Sequence, residues 1–180
     1  MWCRCDSKSG YLYQFDLYTG KKTDTEHGLG ESVVILLTKL LEHLCCEIYI
    51  DSFFNLPLLQ LKSQQQQTYL CGTACTDRKH MPKNLKQDKD LKRGARQMLS
   101  ANGITCVKWM DNRSVVMSNF LKSTESLTAS RRQQKSAEKI QIPCPEIIIA
   151  YNKFMGGVDL MDQKKITYEI DRKAKITQLF

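Results

Sequence analysis

Strand-like and helix-like segments alternate along the first third of the chain, and this alternation strongly constrains the fold. Residues 11–17 carry large apolar side chains at every second position, which is the period of a strand. Between residues 33 and 44 the apolar positions recur at helical spacing, which predicts a stripe that a sheet or another helix must cover. Residues 47–50 are strand-like again, and Pro57 suits the first turn of a second helix. Strand, helix, strand, helix is the order of an α/β domain.

Two pairs of strand-like segments have the spacing of hairpins. Residues 1–5 and 11–17 flank a short run of turn residues, with Asp6 at the bend. Residues 104–109 and 114–117 flank a second turn. We therefore expect antiparallel pairing within each of these two regions.

The last third of the chain predicts a polar excursion followed by two helices. Residues 122–139 are polar and predict a mobile segment on the surface. Pro145 suits the first turn of a helix over residues 146–154. Gly156 and Gly157 then interrupt this helix before a second helical stretch continues.

The charge of the chain favours a polyanionic partner. The 27 Lys and Arg residues exceed the 19 Asp and Glu residues, giving a net charge of +8. Its longest apolar runs are far shorter than the roughly 20 residues that span a bilayer, so a membrane is not an expected partner. Basic residues concentrate in residues 78–96, 131–139 and 164–175, which would either contact phosphate or form an ordinary solvated surface. The candidate DNA contacts are Arg78, Lys79, Lys92, Arg93, Arg172 and Lys173.

The eight cysteines have the sequence contexts of small core residues in a reducing compartment. The N-terminus has no apolar signal segment, which favours the cytosol or the nucleus. Cys71, Cys75 and His80 supply at most three candidate zinc ligands, with no second cysteine pair downstream. No zinc site is therefore expected in this segment.

Aspartates occupy positions where an acid is a functional candidate. Asp6 lies where the first strand turns, Asp51 directly follows a buried strand, and Asp159 and Asp162 share one helix face. The carboxyl ends of strands open onto the ligand crevice of an α/β sheet. Converging carboxylates select Mg²⁺ or Mn²⁺, and two such ions about 4 Å apart can promote phosphodiester cleavage. The alternative is that these aspartates are helix caps and turn residues.

The order of these residues and of their flanking sequences resembles that of piggyBac transposases over almost the whole chain. The most specific block is residues 151–162, which read Tyr-Asn-Lys-Phe-Met-Gly-Gly-Val-Asp-Leu-Met-Asp. Shorter blocks precede it in the same order, namely Cys5-Asp6-Ser7, Gly28-Leu29-Gly30-Glu31, Ile50-Asp51-Ser52, Cys71-Gly72-Thr73, Lys92-Arg93-Gly94 and Trp109-Met110-Asp111.

The resemblance implies a ribonuclease H-like α/β fold, in which a mixed sheet is flanked by helices. A β-rich or loop segment would be inserted between the second and third acids. Residues 1–76 would then form the first part of the core, residues 77–140 the basic insertion, and residues 141–180 the C-terminal helices that complete the core.

The resemblance also implies a catalytic site. Asp6, Asp51 and Asp159 would hold two divalent ions, Mg²⁺ or Mn²⁺, and Asp162 would be a further catalytic acid. The reaction would be DNA strand cleavage and transfer at TTAA sites. The implied partner is double-stranded DNA with transposon ends, the implied location is the nucleus, and a homodimer is compatible with the family.

Departures from the family pattern leave three hypotheses. Only residues 1–5 precede Asp6, and the family's N-terminal DNA-binding part and its C-terminal cysteine-rich zinc-binding domain are expected to be absent. The first hypothesis is a metal-dependent transposase catalytic domain, present here as a truncated or domesticated copy. The second is a catalytically inactive DNA-binding or chromatin-binding module derived from a transposase. The third is a basic α/β protein whose acids are caps and turn residues.

Overall fold

The computed structural model of the chain describes residues 1–20, 28–119, 125–133 and 138–167. Within these ranges, a mixed five-stranded sheet is flanked by helices and accompanied by two two-stranded sheets. The strands are β1 (Trp2–Cys5), β2 (Leu12–Asp16), β3 (Glu47–Ile50), β4 (Tyr69–Thr73), β5 (Arg96–Ala101), β6 (Ile104–Met110), β7 (Ser114–Asn119), β8 (Ser126–Arg132) and β9 (Lys139–Pro145). The α-helices are α1 (Leu29–Thr38), α2 (Pro57–Gln65), α3 (Glu146–Phe154) and α4 (Gly157–Thr167).

The five-stranded sheet has the order β3-β4-β7-β6-β5. β3 and β4 run parallel because α2 carries the chain back between them, whereas the other neighbours pair antiparallel. The predicted hairpin of β6 and β7 is confirmed. β5 joins β6 through Asn102 and Gly103, both of which have positive φ, as a two-residue hairpin turn requires.

The predicted hairpin at the N-terminus is confirmed as β1 and β2. Its turn is closed by backbone hydrogen bonds from Asp6 N to Tyr11 O at 2.8 Å and from Gly10 N to Asp6 O at 2.9 Å. Gly10 has a φ of +68°, and a Cβ there would lie 2.8 Å from the backbone nitrogen of Met161 in α4. The turn therefore requires glycine for its conformation and for the close approach of α4.

The prediction for the first helix is wrong at its C-terminal end. α1 buries Val33, Val34 and Leu37, but Leu40 and Leu44 are 73% and 62% exposed. The α-helix ends at Thr38, and a 3₁₀ turn over Lys39–Leu41 changes the direction in which the next side chains point.

The prediction of a mobile excursion over residues 122–139 is wrong for the part that the structure describes. Residues 126–132 form β8, which pairs antiparallel with β9. The polar sequence conceals this strand because most of its side chains face solvent, while Ala129 packs against the core and Arg131 lies over the ring of Trp109. Residues 122–124 and 134–137, within the same prediction, lie outside the described ranges.

Helices α2 and α3 begin where their prolines predict. Pro57 occupies the first turn of α2, and Pro145 is the N-cap of α3. α3 buries Ile147, Ile148 and Tyr151 against Trp109 and Met117 of the sheet, and the indole Nε1 of Trp109 donates to the carbonyl of Pro143 at 2.9 Å. Nowhere in the described ranges is a helix long and apolar enough to cross a membrane.

A buried amide network joins α2 to the middle of the sheet. Asn55 is 1% exposed, and its Nδ2 donates to the carbonyls of Gly72 and Thr73 in β4 at 2.9 and 2.8 Å. Gln60 donates in turn to Asn55 Oδ1 at 2.7 Å and to the carbonyl of Ser118 in β7 at 3.0 Å. The network spans the place where the parallel pair of strands meets the antiparallel strands.

We predict that Asn55→Ala destabilises the chain by about 1–3 kcal/mol, because it removes the donors to the Gly72 and Thr73 carbonyls and one of the acceptors of Gln60 Nε2 from a buried place. Urea unfolding followed by circular dichroism measures this change. The matched control is Asn152→Ala at an exposed position of α3, with an expected change within about 0.5 kcal/mol. Equal midpoints for the two variants would contradict the prediction.

Candidate functional site

Asp51 lies at the carboxyl end of β3, as the sequence predicts. Its Oδ1 accepts hydrogen bonds from its neighbour Ser52 N at 2.6 Å and from Thr73 Oγ1 at 3.3 Å. Thr73 ends the adjacent parallel strand β4, so two strand ends meet at this carboxylate. Burial raises the pKa of Tyr151 in α3, and the Thr73 side chain opposes this rise.

Asp6 follows β1 at the turn, and its carboxylate closes that turn. Asp6 Oδ2 accepts hydrogen bonds from Ser9 N and Ser9 Oγ, each at 2.6 Å, and from Lys8 N at 3.1 Å. These hydrogen bonds, above all the one from the Ser9 hydroxyl, lower the pKa of Asp6. Asp6 thus has the turn role that the sequence left open as the alternative to metal binding.

Asp159 and Asp162 lie in the first half of α4 and are exposed. A Cβ at Gly157 would lie 2.9 Å from the carbonyl oxygen of Asp6, so glycine allows the start of α4 to contact the β1–β2 turn. The carboxylate of Asp162 adds to the effect of burial in raising the pKa of Cys3 and of Cys5. Asp162 therefore lies beside the face of β1 that carries these two thiols.

A cavity of about 400 Å³ lies between the N-terminal hairpin and β3. Asp51 and Asp159 both line it, together with Cys5, Phe54 and Tyr151. Since β1 pairs with β2 and β3 pairs with β4, the two strands bordering this cavity are not paired with each other in the described sheets. The cavity thus brings the second and third predicted acids to one place, near the first.

The arrangement does not fit a centre with three carboxylate ligands. In the part of the chain that the structure describes, no group of three or more His, Cys, Asp or Glu side chains could hold a metal ion. Asp51 and Asp159 share the cavity, but the carboxylate of Asp6 is held by Ser9. The roles of these acids as ligands of Mg²⁺ or Mn²⁺ therefore stay a prediction.

The predicted DNA contacts fall into three groups. Lys79 and Lys92 are exposed. Arg78 is half-buried and donates to the carbonyl of Phe53 at 3.3 Å. Arg172 and Lys173 lie outside the described residues.

Arg93 is part of a structural ion cluster. Its guanidinium pairs with Asp111 at 2.8 Å and donates to the carbonyl of Arg132 at 3.0 Å. Asp111 also pairs with Arg131 at 3.4 Å. This cluster joins the β6–β7 turn to β8, so a phosphate at Arg93 would have to compete with a carboxylate that is already in place.

Lys108 is a structural residue that the sequence does not reveal. Lys108 is 8% exposed in β6, and its Nζ contacts Asp88 Oδ1 at 2.7 Å and donates to the carbonyl of Lys86 at 2.6 Å. No signal in the sequence distinguishes this lysine, because strand residues that alternate with apolar ones ordinarily face solvent.

Comparison with known proteins identifies the family. The transposase IS4 family matches residues 1–180, and the chain belongs to it. Human PiggyBac transposable element-derived protein 3 is 30% identical over 97% of this chain and 31% of its own length. The human chimeric ERCC6-PGBD3 protein is likewise 30% identical over 97% of this chain, but over 17% of its own length. The chain is a transposase-derived domain of the piggyBac type, and it spans less than a third of the length of these relatives.

A solved structure confirms the predicted fold class. A piggyBac transposase, in a synaptic complex with hairpin DNA, superimposes with a TM-score of 0.70 at 23% identity. The match covers 89% of this chain and 32% of the transposase chain. The mixed sheet flanked by helices is thus the fold of this transposase region, with which the ribonuclease H-like prediction is consistent.

Proposed function

We propose that this chain is a DNA-binding module derived from a piggyBac-type transposase, which contacts the phosphate backbone of double-stranded DNA. The observation that carries the proposal is the basic segment, which we define as residues 77–95 between β4 and β5. Its exposed lysines project from a backbone that the core holds in place. They are Lys79, Lys83, Lys86, Lys89 and Lys92.

Apolar and polar contacts anchor the basic segment. Met81 and Leu91 are buried, with exposures of 7% and 8%. Gln97 of β5 accepts a hydrogen bond from Lys86 N at 2.6 Å and donates to the carbonyl of Asn84 at 3.1 Å. A fixed backbone reduces the conformational entropy lost on binding, which favours a contact surface over a loose solvated loop.

Internal ion pairs engage one charge of each sign in the basic segment, Asp88 with Lys108 and Arg93 with Asp111, so its exposed lysines remain as the excess positive charge. Asp88 accepts a hydrogen bond from Ser114 Oγ at 2.9 Å and contacts Lys108 Nζ, and both interactions lower the pKa of Asp88. The negative charge of Asp88 is therefore compensated from within the protein. Lysines at fixed positions around it give phosphate contacts that fix orientation without reading sequence.

The similar solved structure supports this choice of ligand. It is a piggyBac transposase in a synaptic complex with hairpin DNA. From it we take only the ligand class, DNA, into this proposal, and a nuclear location would accompany such a ligand. Recognition of transposon ends and TTAA target sites and a homodimer stay predictions from the resemblance, because backbone contacts alone do not read sequence.

A second candidate function is metal-dependent DNA strand cleavage. It is favoured by the cavity that Asp51 and Asp159 share and by the Thr73 hydroxyl, which holds Asp51 at its edge. For Asp6 to join these acids, its carboxylate would have to leave Ser9. Binding of DNA or of Mg²⁺ or Mn²⁺ would have to supply the free energy for that change.

We predict that duplex DNA binds with a steep salt dependence. In Lys79→Ala/Lys92→Ala, the slope of log K against log salt should fall by about 2, because each phosphate contact contributes about 0.9. Fluorescence anisotropy with a labelled duplex measures the slope. Lys39→Ala, at an exposed lysine after α1, is the control and should retain the parent slope. An affinity that does not respond to salt would contradict the proposal.

We predict binding without cleavage on duplex DNA carrying TTAA in Mg²⁺ or Mn²⁺. A nicking assay on a denaturing gel compares the chain with Asp51→Ala, and the proposal expects the same absence of product from both. Metal-dependent product that Asp51→Ala abolishes would instead establish the second candidate function.

A further inference from the structure

β2 turns its aromatic face outward. Tyr11, Tyr13 and Phe15 are 66%, 56% and 54% exposed, and we name these three residues the aromatic row. The alternate residues of the strand, Leu12 and Gln14, are half-buried on the opposite face. A strand in a two-layer fold ordinarily buries its more apolar face, so the exposed aromatic row is a candidate binding surface.

The rings of the aromatic row are held in place. Those of Tyr11 and Tyr13 meet edge to face, with centroids 5.3 Å apart. The guanidinium of Arg4 lies over the Tyr13 ring at 5.3 Å, and Arg4 also donates to Gln14 Oε1 at 3.4 Å. The register between β1 and β2 shifts between Arg4 and Cys5, which leaves Tyr13 without a residue opposite it in β1, and all three rings are more than half exposed.

Positive charge flanks the aromatic row. Arg4 lies on the ring of Tyr13, Lys8 is exposed at the turn, and Lys164 of α4 donates to the carbonyl of Ser9 at 2.6 Å. The nearest acid along this turn, Asp6, accepts three hydrogen bonds from Lys8 and Ser9. Aromatic rings bordered by cations are the combination that binds unpaired nucleotides, since the rings stack on bases and the cations contact phosphates.

We propose that the aromatic row binds single-stranded nucleic acid, with unpaired bases stacked on Tyr11, Tyr13 and Phe15 and with Arg4 and Lys8 near the phosphates. The row is an exposed strand face and lines neither of the two cavities that the structure describes, which argues against an enclosed small ligand. Tyrosine hydroxyls keep the surface wet, and the flanking cations together with the net charge of +8 complement a polyanion better than an apolar protein surface. The site is distinct from the basic segment and does not depend on duplex binding.

The test measures the affinity of the chain for labelled oligo(dT) and for a duplex of equal length by fluorescence anisotropy. Tyr13→Ala/Phe15→Ala should weaken oligo(dT) binding at least tenfold, because it removes two of the three rings on which unpaired bases would stack. Duplex affinity should change by less than about twofold. Tyr13→Phe/Phe15→Tyr, which keeps both rings, should bind oligo(dT) within about threefold of the parent chain, and the unchanged duplex affinity of the alanine variant shows that its fold is retained.

Matched controls separate this site from others. Leu40→Ala removes a side chain that is 73% exposed elsewhere on the surface and should leave both affinities unchanged. Undetectable oligo(dT) binding by the parent chain, or equal affinity in the parent and in Tyr13→Ala/Phe15→Ala, would overturn the proposal. A change in the oligomeric state of Tyr13→Ala/Phe15→Ala, measured by light scattering, with its oligo(dT) affinity unchanged, would also overturn the proposal. If the parent chain binds oligo(dT) but does not bind the duplex, that result would count against duplex binding by the basic segment and not against the aromatic row.

Discussion

The buried hydrogen bonds of Asn55 and Gln60 are the interaction on which the arrangement of the sheet depends. They tie α2 to β4 and β7 at the junction between parallel and antiparallel strands. Gly72 stands at the same place because a Cβ there would overlap the carbonyl oxygen of Ile50. Gln60 Oε1 is buried without a partner among the described residues, but the amide NH2 groups of Asn55 and Gln60 are paired in this register, and losing those pairs would cost free energy in a neighbouring one. That register sets Asp51 beside Thr73 at the adjacent ends of β3 and β4.

The behaviour of Asp6 follows from local hydrogen bonds that compete with long-range convergence. Three carboxylates in one place repel each other unless a cation lies among them. In the turn, Asp6 instead gains donors from Lys8 and Ser9, which favour its ionised form. The free chain thus has a low-energy alternative to a three-carboxylate centre, while Asp51 and Asp159 still share a cavity. This competition is the physical basis for proposing DNA binding ahead of cleavage.

Sequence predicts those elements whose signals are local. The β1–β2 and β6–β7 hairpins follow from period-2 patterns around turn residues, and Pro57 and Pro145 mark helix starts. β8 could not be predicted, because its pairing with β9 and the contact of Arg131 with Trp109 are tertiary.

The candidate site shows the same division between local and tertiary information. The position of Asp51 at a strand end is readable from its sequence. The pairing of Arg93 with Asp111 is not, since only the folded chain brings these residues together. The alternation of apolar side chains in β2 likewise does not predict which face of the strand is exposed. The Asn102-Gly103 turn, by contrast, is a recognisable hairpin signal that would have identified β5.

The most direct measurement is the titration of the Asp6 carboxyl group by NMR in the free chain. If Asp6 closes its own turn, its pKa lies below the ordinary value of about 3.9 and rises in Ser9→Ala. Its contribution to stability is then complete above the ordinary value and is lost as the pH falls through the lowered native pKa. A pKa above the ordinary value, insensitive to Ser9→Ala and lowered by Asp51→Ala, would show that the carboxylates converge and would contradict the separation of Asp6 from the other acids.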